Sequence, residues 1–157
     1  MKKKYDIIIV GSGIVGLASA LQILRKRPSL SLLILEKESE SAKHQSMRNS
    51  GVIHSGIYYK EGSKKSKNCI NGYKLLTDYC QKNDVKYEIC GKLILANNIY
   101  EDEQLKKLYS RGERNGLEKL KILSSNESKE IEPHSNCTSA LYVPQTGIIN
   151  YKELADS

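Results

Sequence analysis

The first segment of the chain changes hydrophobic period twice. Tyr5 to Val10 reads as a strand whose Ile7 to Val10 portion is continuously β-branched, the pattern of a parallel strand covered on both faces. Ile14 to Arg27 shifts to a helical pattern, with Val15, Leu17, Leu21 and Leu24 as its apolar stripe and Pro28 as its stop. Leu30 to Leu35 is a second apolar run that ends at Glu36. Together these predict a strand, helix, strand unit of about 30 residues, whose right-handed crossover makes the two strands parallel neighbours.

The rest of the chain is more mixed. A polar, glycine-bearing stretch from His44 to Gly62 is too long for a simple connection. Ser63 to Asn83 predicts a helix, with Cys69, Tyr73, Leu76 and Cys80 along one side and Ile70 flanking them. Val85 to Cys90 and Lys92 to Ala96 predict short strands around Gly91, and Glu101 to Asn115 a further amphipathic helix closed by Asn115-Gly116. Leu120 to Leu123 predicts a strand, and Asn126 a cap for a helical turn that ends at Pro133. Ala140 to Val143 and Gly147 to Asn150 predict strands flanking a turn, with a new helix beginning at Tyr151. Repeats and low-complexity segments are absent from the sequence.

Composition narrows the function class. Lys+Arg 25 against Asp+Glu 18 gives a net charge of +7, but the excess is mostly scattered lysine, without an Arg-rich block or interleaved aromatics. That distribution argues against nucleic acid as a partner and leaves open a general attraction to anionic lipid or an acidic substrate. Ten Tyr with no Phe or Trp leave aliphatic side chains to build the core. Cys69, Cys80, Cys90 and Cys137 show no CxxC pair and no metal-ligand spacing, so no metal site is expected, and buried reduced thiols in a cytosolic-type compartment are. Lys2, Lys3 and Lys4 before an apolar run superficially copy a secretory leader. Asp6 at the junction, the closely spaced glycines and the change of period oppose that reading, and the same glycines with Ser12 oppose a membrane-spanning helix. A cytoplasmic protein without a signal peptide or transmembrane helix is expected.

Gly11-Ser12-Gly13-Ile14-Val15-Gly16 is GxGxxG placed directly between the first strand and the first helix. Gly11 permits the tight turn, Gly13 lets the backbone approach a pyrophosphate, Gly16 lets helix and strand pack closely, and the helix N-terminus offers N–H groups to the anion. Glu36, about twenty residues after Gly16, stands where a carboxylate accepts hydrogen bonds from adenosine ribose hydroxyls, and it repels a 2'-phosphate. A glycine turn that serves packing alone is the competing reading. FAD and NAD share the fingerprint, so it does not separate them. The segment His44 to Tyr59 offers small residues and backbone N–H groups that can lie against a flat ring, with Asn49 and Ser50 as short hydrogen-bonding side chains.

The segment Asn49 to Tyr59, together with Cys90-Gly91-Lys92-Leu93-Ile94, resembles the N-terminal part of the L-2-hydroxyglutarate dehydrogenases (oxidases), flavoproteins of the D-amino-acid-oxidase-like superfamily. Tyr109-Ser110-Arg111-Gly112 with Asn115-Gly116, Glu132-Pro133, and Pro144 to Tyr151 extend the resemblance over essentially the whole chain. It implies FAD, with the diphosphate at Gly11, Ser12, Gly13, Ile14, Val15 and Gly16, the ribose at Glu36 beside Lys37, and the isoalloxazine beside Ser50, Gly51, Val52, Ile53 and His54. Gln45, Ser46 and Asn49 complete the implied cofactor set, and Ser46-Met47 departs from the expected Thr-Gly, which places Met47 as a crowding side chain near the cofactor. The implied reaction is oxidation of a small 2-hydroxy acid, L-2-hydroxyglutarate, to 2-oxoglutarate by hydride transfer from C2 to flavin N5. Electrons would pass on to a quinone-type or protein acceptor at the membrane, or to oxygen, from a protein that is cytoplasmic or peripheral on the inner membrane.

His54 lies inside the flavin-facing segment and suits a general base near neutral pH, with orientation of the flavin as its alternative role. His44 is expected to tether its loop and His134 to be solvated, while Tyr58 and Tyr59 are candidates to line the substrate pocket, with packing the expected role of at least one. Glycerol-3-phosphate dehydrogenases have a similar segment followed by an Arg where Tyr58 stands here; amine-oxidising relatives are less similar, and a non-catalytic nucleotide-binding remnant is a further alternative.

The expected fold class is therefore α/β: a Rossmann-type FAD-binding βαβ unit within residues 1–62, then helices and strands of residues 63–157 that begin an interleaved α+β substrate domain. Two parallel strands are too few for a doubly wound sheet, so the fold is expected to be incomplete, with a C-terminal remainder absent. Residues 1–157 expressed alone should retain FAD weakly, dissolve poorly and lack activity. Gel filtration with a dye-reduction assay checks this, and a monodisperse, yellow, active preparation would refute it.

Overall fold

The computed structural model describes residues 4–157. Lys2 and Lys3 of the leader-like start lie outside the described residues. The element order is β1 (Ile7–Val10), α1 (Ile14–Lys26), β2 (Leu32–Leu35), β3 (Val52–Ile53), α2 (Lys64–Lys82), β4 (Tyr87–Glu88), β5 (Lys92–Ala96), α3 (Ile99–Arg114), β6 (Lys121–Ser124), α4 (Ser125–Ile131), β7 (Ser139–Val143), β8 (Gly147–Ile149) and α5 (Tyr151–Asp156). Among the described residues no helix is long and apolar enough to cross a membrane.

Packing divides the chain into two units. The first holds the residues up to Gly51 together with Asn83–Lys86 and Ile149–Ser157. Here β1 and β2 pair in parallel, Ile7 opposite Leu32 through Val10 opposite Leu35, as the sequence pattern predicts. Asp6 fixes that register, since its Oδ2 accepts from both the Ser31 N–H (2.8 Å) and the Ser31 hydroxyl (2.7 Å). The strand is not covered on both faces as its apolar run suggests: Ile8 and Val10 are 54% and 84% exposed. The stripe of α1 is also corrected. Leu17, Ala20 and Leu21 point inward, while Val15 is 77% exposed and Leu24 lies at the margin of exposure. Residues two apart on a helix do not face the same way, so Val15 cannot share a stripe with Leu17.

The second unit, residues 52–82 and 87–148, carries its core on an antiparallel sheet ordered β5, β7, β6. Strand periodicity gives that sheet two buried faces. Leu141 and Val143 of β7 join Ala96, Leu105, Leu120 and Ile57 on one side, where α3 packs. Ala140 joins Leu123 and Cys137 on the other, where α4 packs. A second small sheet is ordered β3, β8, β4, with Val52 opposite Ile148 and Ile53 opposite Gly147. The two-residue β3 lies inside the stretch read as irregular, because a pair so short has no period to recognise.

Local chemistry moves several helix boundaries. α3 begins at Ile99 rather than Glu101, because the Asn98 side chain accepts the Glu101 N–H at 3.0 Å and acts as cap. For α4 the cap is Ser124, not Asn126: Ser124 and Glu127 form a reciprocal capping box. The stripe of α2 is as expected, with Cys80 buried and Cys69, Tyr73 and Leu76 half-buried. All four cysteines are free; Cys80 and Cys137 are buried, but Cys90 is exposed, against the expectation for the set.

The second unit is tied together by one buried amide. Asn115 Nδ2 donates to the carbonyls of Gly56 (3.2 Å) and Tyr59 (2.9 Å), and its Oδ1 accepts the Ser66 hydroxyl at 2.9 Å. One side chain thus links the end of α3, the start of α2 and the 56–59 loop. Asn115→Ala removes the amide from the Tyr59 carbonyl and the Ser66 hydroxyl, while the Gly56 carbonyl keeps the Tyr59 N–H, and should lower unfolding stability by about 1–3 kcal/mol, with the denaturant slope unchanged. Urea titration checks this, and a loss below about 0.5 kcal/mol would show that water replaces the amide.

Candidate functional site

In the first unit β1 delivers the chain into α1 through Gly11, which holds φ +102 and has open space where a side chain would be. A Cβ at Gly16 would collide with the Gly11 carbonyl oxygen and touch Ile9 Cγ2 at 3.4 Å, so glycine here sets how closely helix and strand approach. The N-cap Gly13 supplies no side-chain hydrogen bond, and the first turn of α1 holds no acid. Ser46 takes up part of that role: its Oγ accepts the Ile14 N–H at 2.9 Å and would lie 3.3 Å from a Cβ at Gly13. The positive end of the helix therefore lacks any carboxylate of its own, which suits an external anion.

Glu36 closes this turn. Its Oε2 accepts the Ser12 N–H and the Ser12 hydroxyl, both at 2.7 Å, and its Oε1 accepts the N–H of Lys37 (2.8 Å) and Glu38 (3.1 Å). These donors, the Ser12 N–H foremost, hold the carboxyl down to about 2. Of the four donors, only the Ser12 hydroxyl rotates freely, so it is the one that can yield its place to another hydroxyl.

Two concavities divide the residues expected around a cofactor. One of 250 Å³ is lined by Gly11, Gly13, Glu36, Lys37, Gln45 and Ser46, among others. Its far wall includes Ala42, buried in a left-handed conformation (φ 61), whose N–H donates to the Ser12 carbonyl at 3.0 Å. The second, of 220 Å³, is lined by Ser46, Met47, Asn49, Ser50 and Gly51 with Ile149 to Lys152. Asn49 shapes it: Nδ2 donates to the Gln45 and Ser46 carbonyls, and Oδ1 accepts the Gly51 N–H at 2.7 Å. Gly51 is in turn held against Ile149, whose N–H donates to the Gly51 carbonyl at 2.8 Å. Met47 lies on the wall and is 47% exposed. A diphosphate-bearing dinucleotide fits this set: an uncompensated helix N-terminus, glycines without side chains, an acid at the strand end and adjoining hollows.

Other expected residues have different surroundings. Ser12 is buried and Val15 points outward. Val52 and Ile53 lie in β3, Val52 half-buried and Ile53 only 2% exposed, so Ile53 can offer a ligand only backbone. His44 tethers its loop through its carbonyl, which accepts the N–H of Met47 and Arg48. His134 is exposed, its N–H on Glu132 Oε1.

In the second unit His54, Tyr58 and Tyr59 share one hollow of 130 Å³ with Ser55 to Ile57 and with Lys92. His54 is exposed, and its carbonyl accepts from Cys69 Sγ at 3.4 Å. Arg111 Nη1 donates to the Tyr58 carbonyl at 3.2 Å, and Thr146 Oγ1 to Ser55 Oγ at 3.3 Å. Sequence reasoning missed Lys92, Arg111 and Asn115 as site residues, although all three lie within motifs that carried the resemblance; what was lacking was any sign that they converge on 54–59. A larger concavity, of 440 Å³, also includes Lys92, together with Cys90, Leu95, Ile131 and His134, but none of the residues 54–59.

Comparison with known proteins gives the family. Residues 6–157 match the family described as FAD dependent oxidoreductase. The chain is similar to the mitochondrial L-2-hydroxyglutarate dehydrogenase of Dictyostelium discoideum, 52% identical over 99% of this chain and 35% of that protein. It is similar to the corresponding Homo sapiens enzyme, 47% identical over 96% of this chain and 33% of that protein. Among solved structures it resembles an FAD-bound L-alpha-glycerophosphate oxidase from Mycoplasma pneumoniae, with TM-score 0.87 and 30% identity over 99% of this chain and 41% of that one. The chain thus spans about a third of the length of the curated relatives it matches.

The lowered pKa of Glu36 makes stability depend on pH in a definite direction. Its folded value lies near 2 against an ordinary 4.5, so the stabilisation it gives is fully present above 4.5 and is lost as the pH falls through about 2. The stability gap between the wild type and Glu36→Gln should close over that window, and the Glu36 carboxyl carbon resonance should titrate near its lower end. A resonance titrating at the ordinary value would show that the Ser12 clasp is not formed in solution.

Proposed function

Because the chain belongs to the FAD dependent oxidoreductase family, we propose that it holds FAD and serves the oxidation of L-2-hydroxyglutarate to 2-oxoglutarate. The observation that carries the substrate is the gradient of similarity over the same residues: 47% to 52% identity to L-2-hydroxyglutarate dehydrogenases against 30% to the glycerophosphate oxidase. Tyr58, where glycerol-3-phosphate dehydrogenases have an Arg, points the same way.

In this reading the α1 N-terminus and the Gly11 to Gly16 backbone receive the diphosphate, Glu36 receives the ribose hydroxyls as the Ser12 hydroxyl turns aside, and Lys37, Gln45 and Ser46 line that end. Asn49, Ser50 and Gly51 line the second hollow, and Val52 and Ile53 contribute backbone to the ring's surroundings. FAD supplies the acceptor for the hydride leaving the substrate C2. His54 takes the proton of the substrate hydroxyl, so that the C–H bond breaks as the carbonyl forms and the two hydrogens leave as a hydride and a proton. Tyr58 and Tyr59 bound the substrate side. The electrons pass on to a quinone-type or protein acceptor at a membrane, or to oxygen. The net charge of +7 on these 157 residues favours approach to an anionic membrane surface.

Under anaerobic conditions L-2-hydroxyglutarate should bleach the flavin of the full-length protein, while glycerol 3-phosphate and D-2-hydroxyglutarate should not. Faster reduction by glycerol 3-phosphate would overturn the substrate. His54→Ala should slow reduction by roughly 10²- to 10⁴-fold with flavin retained. Loss of the flavin instead would make His54 a cofactor-orienting residue.

A further inference from the structure

The geometry points to Lys92 as the residue that selects a substrate with a second carboxylate, an inference that rests on the function proposed above. Lys92 opens β5 and is half-buried as a residue. Its Nζ donates to the Tyr58 hydroxyl at 3.2 Å and stands 4.4 Å from the centre of the Tyr58 ring. Both contacts are to a neutral group. Among the described residues Lys92 makes no ion pair, whereas the ion pairs that are formed engage Lys37, Arg114 and Lys152. An ammonium facing only a phenol retains two N–H donors and a charge without a counter-ion, and an incoming carboxylate engages both.

The position of Lys92 makes that carboxylate a substrate's. It shares the 130 Å³ hollow with His54, Tyr58 and Tyr59, the residues assigned above to the base and the substrate wall, and it is the one Lys or Arg of that lining. The volume suits one end of a short acid. The wall cannot easily retreat from it: Arg111 holds the Tyr58 carbonyl and Asn115 the carbonyls of Gly56 and Tyr59. Lys92 therefore approaches the hollow from a sheet strand, opposite a loop pinned at several points, and such an arrangement discriminates by charge and reach rather than by adapting to its guest. A packing lysine, whose only role is to cover the Tyr58 ring, is the rival explanation, and it would treat mono- and dicarboxylic substrates alike.

The test compares L-2-hydroxyglutarate with L-2-hydroxypentanoate, which has the same chain length and no second carboxylate, on the full-length flavoprotein. Lys92→Met should raise KM for L-2-hydroxyglutarate about 10- to 100-fold and change that for L-2-hydroxypentanoate less than about twofold, while Lys92→Arg restores most of the preference. Equal loss with both substrates, or loss with neither, overturns the assignment. Wild-type protein gives an independent measurement should the Met variant lose its flavin: glutarate should compete with substrate at least about tenfold more strongly than pentanoate. Equal competition overturns the assignment as well. Wild type that is not reduced by L-2-hydroxyglutarate at all overturns the proposed function and this inference together; wild type that is reduced, with a variant that keeps its preference, overturns this inference alone.

Discussion

The first unit depends on a collision that glycine avoids. A Cβ at Gly16 would meet the Gly11 carbonyl, so the distance between α1 and the end of β1 is fixed by the missing side chain. That distance places the helix N-terminus directly behind the turn, with Gly13 as an N-cap that has no side chain to spend on it. The remaining parts are consequences. Glu36 can reach Ser12 because β2 runs parallel to β1 in a register that Asp6 and Ser31 set at the opposite end. Ser46 can reach Ile14 because the 37–49 segment folds back on the turn through the Ala42 N–H to the Ser12 carbonyl. The proposed anion site would be made of backbone dipoles and would need no lysine, only the exclusion of side chains from the turn.

In the second unit the corresponding constraint is polar. Within the 56–59 loop the Tyr59 N–H donates to the Gly56 carbonyl, and the Asn115 amide adds a second donor to Gly56 and supplies one to the Tyr59 carbonyl. Because Asn115 is also the C-cap of α3, the loop inherits its position from a helix that packs on the main sheet. Gly112, one turn earlier, lies so close to Leu120 that a Cβ would stand 2.6 Å from its Cδ1 and 3.5 Å from Ile57. Loop, helix and core are therefore located by the same short stretch of sequence.

The sequence disclosed elements wherever hydrophobic period or an obligatory residue speaks locally. β5 was delimited residue for residue, and the βαβ unit followed from a β-branched run, a glycine turn and a helical period. It was silent where the signal is a single contact. Asn98 and Ser124 act as caps through bonds that only the fold reveals, β3 is two residues long, and Val15 looked like part of a stripe because it is apolar. Around the two hollows of the first unit and the 54–59 loop, residue types singled out the glycines, Glu36 and the tyrosines as candidates, but not Lys92, which in sequence is one lysine among many on a basic chain.

That last contrast separates two ways of attracting an anion. A net charge of +7 spread over solvated lysines gives a weak, salt-screened field that prefers no particular partner. Local arrangement does the selecting. At the α1 N-terminus the positive potential comes from aligned peptide groups and needs no mobile side chain, which suits a ligand that stays bound. At Lys92 it comes from a flexible ammonium, matched only to a phenol, which exchanges one partner for another at small cost and suits a ligand that must leave after each turnover.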